Sequence, residues 1–484
     1  MSLRSRVSWN SVVSFFSLVG TRVVKFAGSV VFVNIAGSSA VGIYFIFLSV
    51  YRLLNRGTTL GLGTSVVKRV SERKRSETSE ITDTVATAFI LRATPLLAIT
   101  IGLFVFRGSV DDYIGISFSW LFVVMSLWLT ALYSTLRSTL LGQRYVDVAS
   151  GFDLLRDVGT AVVQVGLVLF GYAQWGLIAG FVIGMTLSGL SLLAFVRIPI
   201  HTATFDIDRA RSLVSFAKFS YLDNLVGGEH RWLDVIILGF FVSTSSIGVY
   251  GIAYSLAQFG TVFSVALSRN ILPEISHLSS TERSDAREKL LYRSLSYSTL
   301  FSFPILAGSL VIADRLLLDV YAVTEGGTPL VILTAGVLVY SAYQQLHQLI
   351  YGLDIPEYAF ALSALSTIFN ALVALVLVPF IGILGTAIST SISMSASFVA
   401  GLYLIENHSE IVLTLPLRPW SLQAACSGVM AVVVFAVQSQ FVLQSRLYST
   451  LLVVVGASVY FVLILSADSF LRTQVLQLAS RVAM

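Results

Sequence analysis

The chain has 484 residues, 56% of them hydrophobic and only 12% charged, with 31 Lys and Arg against 26 Asp and Glu for a net charge of +5. A mean hydropathy of +0.84 excludes the soluble classes, because so little charge cannot cover a water-exposed globule. The single Cys426 excludes an intramolecular disulfide framework and a thiolate metal cluster.

The apolar runs are long and continuous, whereas barrel strands are about 10 residues of alternating character, so the expectation is an all-α polytopic membrane protein. Polar breaks divide the runs into about fourteen spans, at 8–35, 41–63, 81–106, 114–136, 148–170, 174–196, 218–242, 247–270, 291–313, 327–350, 358–379, 383–405, 419–443 and 447–467. The first run is too long for a signal h-region and no clear small-residue cleavage site ends it, so it is expected to remain as the first helix.

That run, Val7 to Ile35, carries Arg22 and Lys25 where a spanning helix should be purely apolar. At about 1.5 Å per residue it more than crosses a hydrocarbon core of about 30 Å, with Arg22 near mid-depth. Ser11, Ser14, Leu18, Arg22, Lys25 and Ser29 follow the spacing of one helical stripe. Lys25 has a bland alternative, reaching the outer interface as basic side chains near helix ends do, but Arg22 is too central for that. The second span adds Arg52 and Arg56 on one face, and the short turn before it sets Arg22 and Arg52 at similar depth. Arg92 lies mid-way along the third span. The fifth carries Asp153, Arg156 and Asp157 with Gln164 along the same face, a set that also reads as an internally neutralised cluster. On the seventh, Asp223, Gly227, His230 and Asp234 share a stripe beside Arg231, and Gly227-Gly228 predicts a bend or unwound turn.

The last seven spans hold no mid-depth charge, only polar residues such as Gln344, Gln345, His347, Gln348 and Asn370. Charge at depth is costly, so the pattern points to a water-lined cavity with surplus positive charge, suited to an anion such as phosphate. Basic residues concentrate in the terminal and even-numbered connections, notably Lys68-Arg69, Arg73-Lys74-Arg75 and Arg197, Arg209, Arg211 and Lys218. That asymmetry places both termini in the cytoplasm. Asp208 to Ser220 mixes basic and apolar positions and is expected to lie in the interface as an amphipathic helix.

An internal repeat organises the whole. SSAVGIYFIFLSV (38–50) is answered by TSSIGVYGIAYSL (244–256), pairing Gly42 and Tyr44 with Gly248 and Tyr250 at an offset of 206 residues. LGQRYVDVA (141–149) and YGLDIPEYA (351–359) form a fainter echo. The expectation is two pseudo-symmetric six-helix bundles in parallel orientation, 1–200 and 201–410, followed by two additional helices in 411–484.

With its fourteen spans, paired halves, GIY and GVY motifs and basic first helix, the chain resembles the polysaccharide flippases, the Wzx-like and peptidoglycan-precursor flippases among them, of the multidrug/oligosaccharidyl-lipid/polysaccharide exporter superfamily. The resemblance implies a lateral-access transporter in the cell membrane that moves a polyprenyl-linked saccharide, dolichyl or undecaprenyl, mono- or pyrophosphate. In the peptidoglycan-precursor branch, basic residues of the first, second and eighth helices hold the phosphate. The matching positions here are Arg22, Lys25 and Arg52, with Arg56 on the Arg52 face and Arg269 at the end of helix eight. Arg92, Asp153, Arg156, Asp157, Asp223, His230, Arg231 and Asp234 are then expected to line the cavity or couple transport to membrane potential or protons. The expected partners are the lipid-linked saccharide, membrane lipids and glycosyltransferases or a polymerase of the same pathway, with no nucleic acid, cofactor, metal or catalytic residue. Two alternatives stand beside this reading. A cation-coupled multidrug antiporter would want an acidic and aromatic pocket. An integral-membrane glycosyltransferase or glycan polymerase would need placed carboxylates, for which Asp111-Asp112 is the candidate.

Overall fold

The computed structural model describes residues 3–72, 78–196, 205–215, 231–268, 284–353, 355–408, 413–440 and 445–473. Side chains are described from Gly20 onward, apart from those of 21–22, 78 and 284–285. The described residues are helical throughout, with no strand among them, and ten helices are long and apolar enough to cross a membrane. The protein is therefore a multi-pass membrane protein. In hydrocarbon a backbone must satisfy its own hydrogen bonds, which helices do within a single segment. The many buried hydroxyls follow the same rule: Ser49 donates to the Phe45 carbonyl (2.7 Å), Ser126 to Phe122 (2.7 Å) and Thr139 to Thr135 (3.0 Å).

Two compact units divide the chain, Met1–Gly251 and Ile252–Met484. The first holds α1 (Leu3–Thr59), α2 (Leu62–Ser71), α3 (Thr78–Val105), α4 (Arg107–Ile114), α5 (Ser119–Gly142), α6 (Val146–Leu169), α7 (Ala173–Val196), α8 (207–215), α9 (Arg231–Phe241) and the start of α10 (Thr244–Ala257). Within α1, Gly37 turns to φ 85°, ψ 161° and folds the helix in two. A side chain there would meet nothing within 4 Å, so it is the backbone conformation that requires glycine. The second half of α1 packs its Tyr44, Phe47 and Tyr51 around Phe181 of α7, with ring centroids 6.4, 6.0 and 5.5 Å away.

The two copies of the repeated motif meet each other inside this first unit. Ser38 and Ser245 share a hydroxyl pair at 2.7 Å, and Ser39 and Thr244 another at 2.8 Å. A Cβ on Gly42 would lie 1.7 Å from the Thr244 carbonyl oxygen, and one on Gly248 would lie 2.1 Å from that of Ser38. At the 206-residue offset Ser38 answers Thr244 and Ser39 answers Ser245, so each contact has its exchanged twin. Such reciprocity is what a local two-fold axis produces. Small residues recur in both copies because the two backbones touch here.

Helix α8 falls within the stretch expected to lie in the membrane interface; protein covers Ala210 and Leu213, while Ile207 and Val214 stay exposed. Leu213 is fully buried among Leu62, Val66, Val70, Ile81, Val85 and Ala88 of α2 and α3. Ser65 donates to the Leu213 carbonyl (3.0 Å), and Arg209 pairs with Asp83 at 3.1 Å.

The second unit holds the end of α10, α11 (261–268), α12 (Ser284–Ser298), α13 (Ser302–Tyr321), α14 (Gly327–Gly352), α15 (Pro356–His408), α16 (Leu417–Gln440) and α17 (Arg446–Ala467). Helix α15 is folded in two at Ile381-Gly382. One apolar core joins α12, α14 and α15 through Leu295, Leu346, Leu349, Ile350, Ala359 and Ile405. A second joins α13, α16 and α17 through Ile312, Met430, Val434, Leu452 and Tyr460. Between α12 and α13 the helix is interrupted, and Gln423 of α16 spans the gap by donating to the Ser296 carbonyl (2.7 Å) and accepting from Thr299 (2.8 Å).

Candidate functional site

Three helices of the first unit, α1, α5 and α6, bring their charges to one network. On α6 the i, i+3 and i, i+4 spacing puts Asp153, Arg156 and Asp157 on adjoining faces. Asp157 divides its carboxylate: Oδ1 accepts from Arg156 Nε (3.2 Å) and Nη2 (3.1 Å), while Oδ2 faces Lys25 Nζ of α1 at 3.3 Å. Asp153 is held by Arg137 of α5, whose Nε donates to both carboxylate oxygens (2.9 and 2.7 Å), and by the Tyr133 hydroxyl at 3.0 Å. Arg156 Nη1 also approaches Asp153 at 3.7 Å, and its guanidinium lies 4.9 Å from the Tyr133 ring centroid. Three bases face two acids, so the network keeps a positive surplus. Its accessible end is Lys25, 60% exposed, whereas Asp157 beneath it is 13% exposed.

Arg52, within electrostatic reach of Lys25, is held differently. Its guanidinium lies 4.7 Å from the centroid of Trp232 of α9, and among the described residues no carboxylate comes within ion-pair distance of it. Arg231 stacks on the same Trp232 at 5.1 Å and on Phe45 at 4.4 Å, and donates to the Gly251 carbonyl at 3.2 Å. Stacking satisfies the face of a guanidinium and leaves its edge donors for an in-plane acceptor. Asp234 is fully buried and accepts from Tyr250 at 2.6 Å. Tyr44, the repeat mate of Tyr250, stands within electrostatic reach of Arg52, Arg231 and Asp157. Gln164 is anchored by donating to the Leu177 carbonyl at 2.7 Å.

Of the residues expected from sequence, Lys25, Asp153, Arg156 and Asp157 are thus joined in one network and Arg52 and Arg231 share the Trp232 ring, while Asp234 is buried against the Tyr250 hydroxyl. Arg92 stands apart, 5% exposed, donating to Ser134 and to Asn55 Oδ1 (2.9 Å) between α3, α5 and α1. Arg56 is half-buried one turn beyond Arg52. The side chain of Arg22 and the whole of Asp223, His230 and Arg269 lie outside the described residues. Sequence reasoning missed Arg137, because the fourth span was ended at residue 136 while α5 continues to Gly142, and so Arg137 was counted with the connection that follows. Trp232 and Tyr133 were missed too, since an aromatic in an apolar run carries no local mark of the cation it stacks on.

A multi-pass helical bundle with a kinked first helix, an internal repeat and a charged network among its spans is a fold shared with solved flippase and multidrug-transporter structures. The solved lipid II flippase MurJ, in an inward closed conformation, superposes with a TM-score of 0.77 over 96% of this chain and 99% of its own, at 16% identity. An inward-facing multidrug resistance MATE transporter gives 0.62 over 85% and 98%, at 12% identity. The chain belongs to the polysaccharide biosynthesis protein family, whose sequence profile matches residues 35–323. Two similar proteins come from Haloferax volcanii. The probable flippase AglR is 27% identical over 94% of this chain and 95% of its own. The probable low-salt glycan biosynthesis flippase Agl15 is 25% identical over 78% of each.

Proposed function

We propose that the protein is a flippase that carries a polyprenyl phosphate- or pyrophosphate-linked saccharide across the cytoplasmic membrane by alternating access. The observation that carries this reading is the pairing of an exposed Lys25 with an Arg52 that rests on Trp232 and faces no described carboxylate. Two cations at the edge of a network that is already surplus positive, one paired by a single contact of 3.3 Å and one meeting no described carboxylate, favour a phosphate, through charge-assisted hydrogen bonds. Arg22, Arg56 and Arg269 join them as further phosphate contacts. Asp153, Asp157, Asp223 and Asp234 are the groups through which transport is coupled to protons or to membrane potential. The name of one Haloferax relative, a probable low-salt glycan biosynthesis flippase, agrees with a saccharide cargo.

Transport is favoured over group transfer by what Asp111 does. Its Oδ2 accepts from the Phe118 amide (2.7 Å), and its Oδ1 from the Ser119 hydroxyl (2.7 Å) and the Trp120 amide (3.1 Å). A carboxylate so engaged in holding a turn is a poor general base. The test is a deletion strain complemented with the parent gene, Arg52→Ala, Lys25→Ala, and Arg52→Lys. The alanine variants are expected to leave the lipid-linked saccharide on the inner leaflet, with partial export retained by Arg52→Lys. Full export by both alanine variants would overturn the site, and sugar release from a lipid donor by purified protein would overturn the class.

A further inference from the structure

The reading above makes Lys25 a ligand for phosphate, yet Lys25 already has an anionic partner. We propose that Asp157 is a positioning residue that stands in for the substrate's phosphate: it holds Lys25 while the site is empty, competes with the incoming phosphate for it, and recovers it on release. The proposal rests on the phosphate-site reading and assigns a role to a carboxylate which that reading needs only as a coupling candidate.

Four observations carry it. The two oxygens of Asp157 have different partners, Arg156 on Oδ1 and Lys25 on Oδ2, so losing one contact leaves the other intact. Arg156 is itself fixed, stacked on Tyr133 and drawn toward the Asp153 that Arg137 clamps through three contacts of 2.7–2.9 Å. Asp157 therefore stays on α6 when Lys25 leaves. The Lys25 contact is a single one at 3.3 Å, longer than every contact in the Arg137 clamp, and it is the one that a competing anion can break. Exposure then sets the direction of attack: Lys25 is 60% exposed and Asp157 is 13% exposed, so an anion arriving from the open side meets the ammonium before the carboxylate. Arg52, within electrostatic reach of Lys25, provides the second cation that draws the anion in.

Physical consequences follow directly. A negative charge retained within a few ångströms of the bound phosphate weakens its binding and speeds its departure, and that is what a carrier needs, since a ligand held too tightly is not released. Asp157 is thus set to tune affinity downward in favour of turnover, a role distinct from holding the fold together.

The experiment titrates purified full-length protein in nanodiscs with geranylgeranyl monophosphate and measures glycan export in the complemented deletion strain. Asp157→Asn is expected to bind the probe at least about fivefold more tightly, the size of a unit charge removed about 4 Å away in bulk water, while exporting less glycan. Asp157→Ser, smaller and neutral, is carried in parallel and should behave alike even where the amide perturbs folding. Asp157→Glu, which keeps the charge, should leave affinity near that of the parent. In a Lys25→Gln background the tightening should shrink, because competition for the ammonium is lost and only the through-space repulsion remains. Folded neutral variants that bind the probe no tighter than the parent, or that tighten equally with Lys25→Gln, overturn the proposal. If instead Lys25→Gln and Arg52→Ala leave the parent's affinity unchanged, the phosphate-site reading itself is wrong, and the two failures are told apart.

Discussion

Replacing Gly42 by alanine tests the local two-fold contact most directly. The new Cβ would stand 1.7 Å from the Thr244 carbonyl oxygen, where ordinary van der Waals contact begins at 3.4 Å. The obstacle is backbone, which no rotamer change can move, so the two helices must part by about 1.7 Å or tilt. Parting them breaks the Ser38–Ser245 and Ser39–Thr244 hydroxyl pairs. Overpacking costs about 1–3 kcal/mol and each interhelical hydrogen bond in a membrane about 0.6 kcal/mol, so a loss of about 2–4 kcal/mol is expected. Equilibrium unfolding in mixed micelles measures it. Gly248→Ala, with its Cβ 2.1 Å from the Ser38 carbonyl oxygen, should cost a similar amount. The double variant should lose less than the sum, because the first substitution has already opened the contact that the second would strain. Gly102→Ala, on α3 with nothing within 4 Å, is the control and should be neutral or slightly stabilising. A loss below about 0.5 kcal/mol for either motif glycine would refute the close approach and with it the structural meaning of the repeat.

Three further outcomes are expected. Trp232→Leu removes the surface under both Arg52 and Arg231 and should weaken binding of a polyprenyl phosphate several-fold, a loss of about 1 kcal/mol, while Trp232→Phe keeps most of it; unchanged affinity for the leucine variant in a binding titration would mean that Arg52 does not need the ring. Arg137→Met leaves Asp153 with the Tyr133 hydroxyl and a distant Arg156, and should lower stability by about 1–3 kcal/mol; the double variant Arg137→Met with Asp153→Leu should recover part of it, as read by thermal melting. Arg209→Asp should loosen α8 from α2 and α3 by about 0.5–1 kcal/mol, measurable as faster amide exchange in 207–215, and Asp83→Arg in the same chain should restore protection.

Several features were legible in the residues alone, for a local reason. The helical spans follow from runs of apolar residues longer than any core helix needs, though not their ends, since α5 runs on to Gly142, and the stripe Asp153, Arg156, Asp157 follows from the 3.6-residue turn. The repeat was legible as well, since Gly42 and Gly248 with their serines and threonine survive in register over 206 residues. Its purpose was not. Nothing in SSAVGIY says that its partner is TSSIGVY, because a helix sequence specifies which face is small and not which other helix will press against it.

By itself, then, the sequence determined that this is a helical membrane protein, built on a duplicated motif, with cations placed at depth on its early helices. Only tertiary structure decided who answers each charge: Asp157 for Lys25 across 132 residues of chain, Arg137 for Asp153, a tryptophan in place of an acid for Arg52. Helical periodicity governs neighbours within about four positions, whereas pairing across helices depends on how each one is rotated and slid against the next. That choice is made by the packing of the whole bundle, in which glycine contacts and aromatic knots such as Tyr44, Phe47 and Phe181 set the angles at which the charged faces meet.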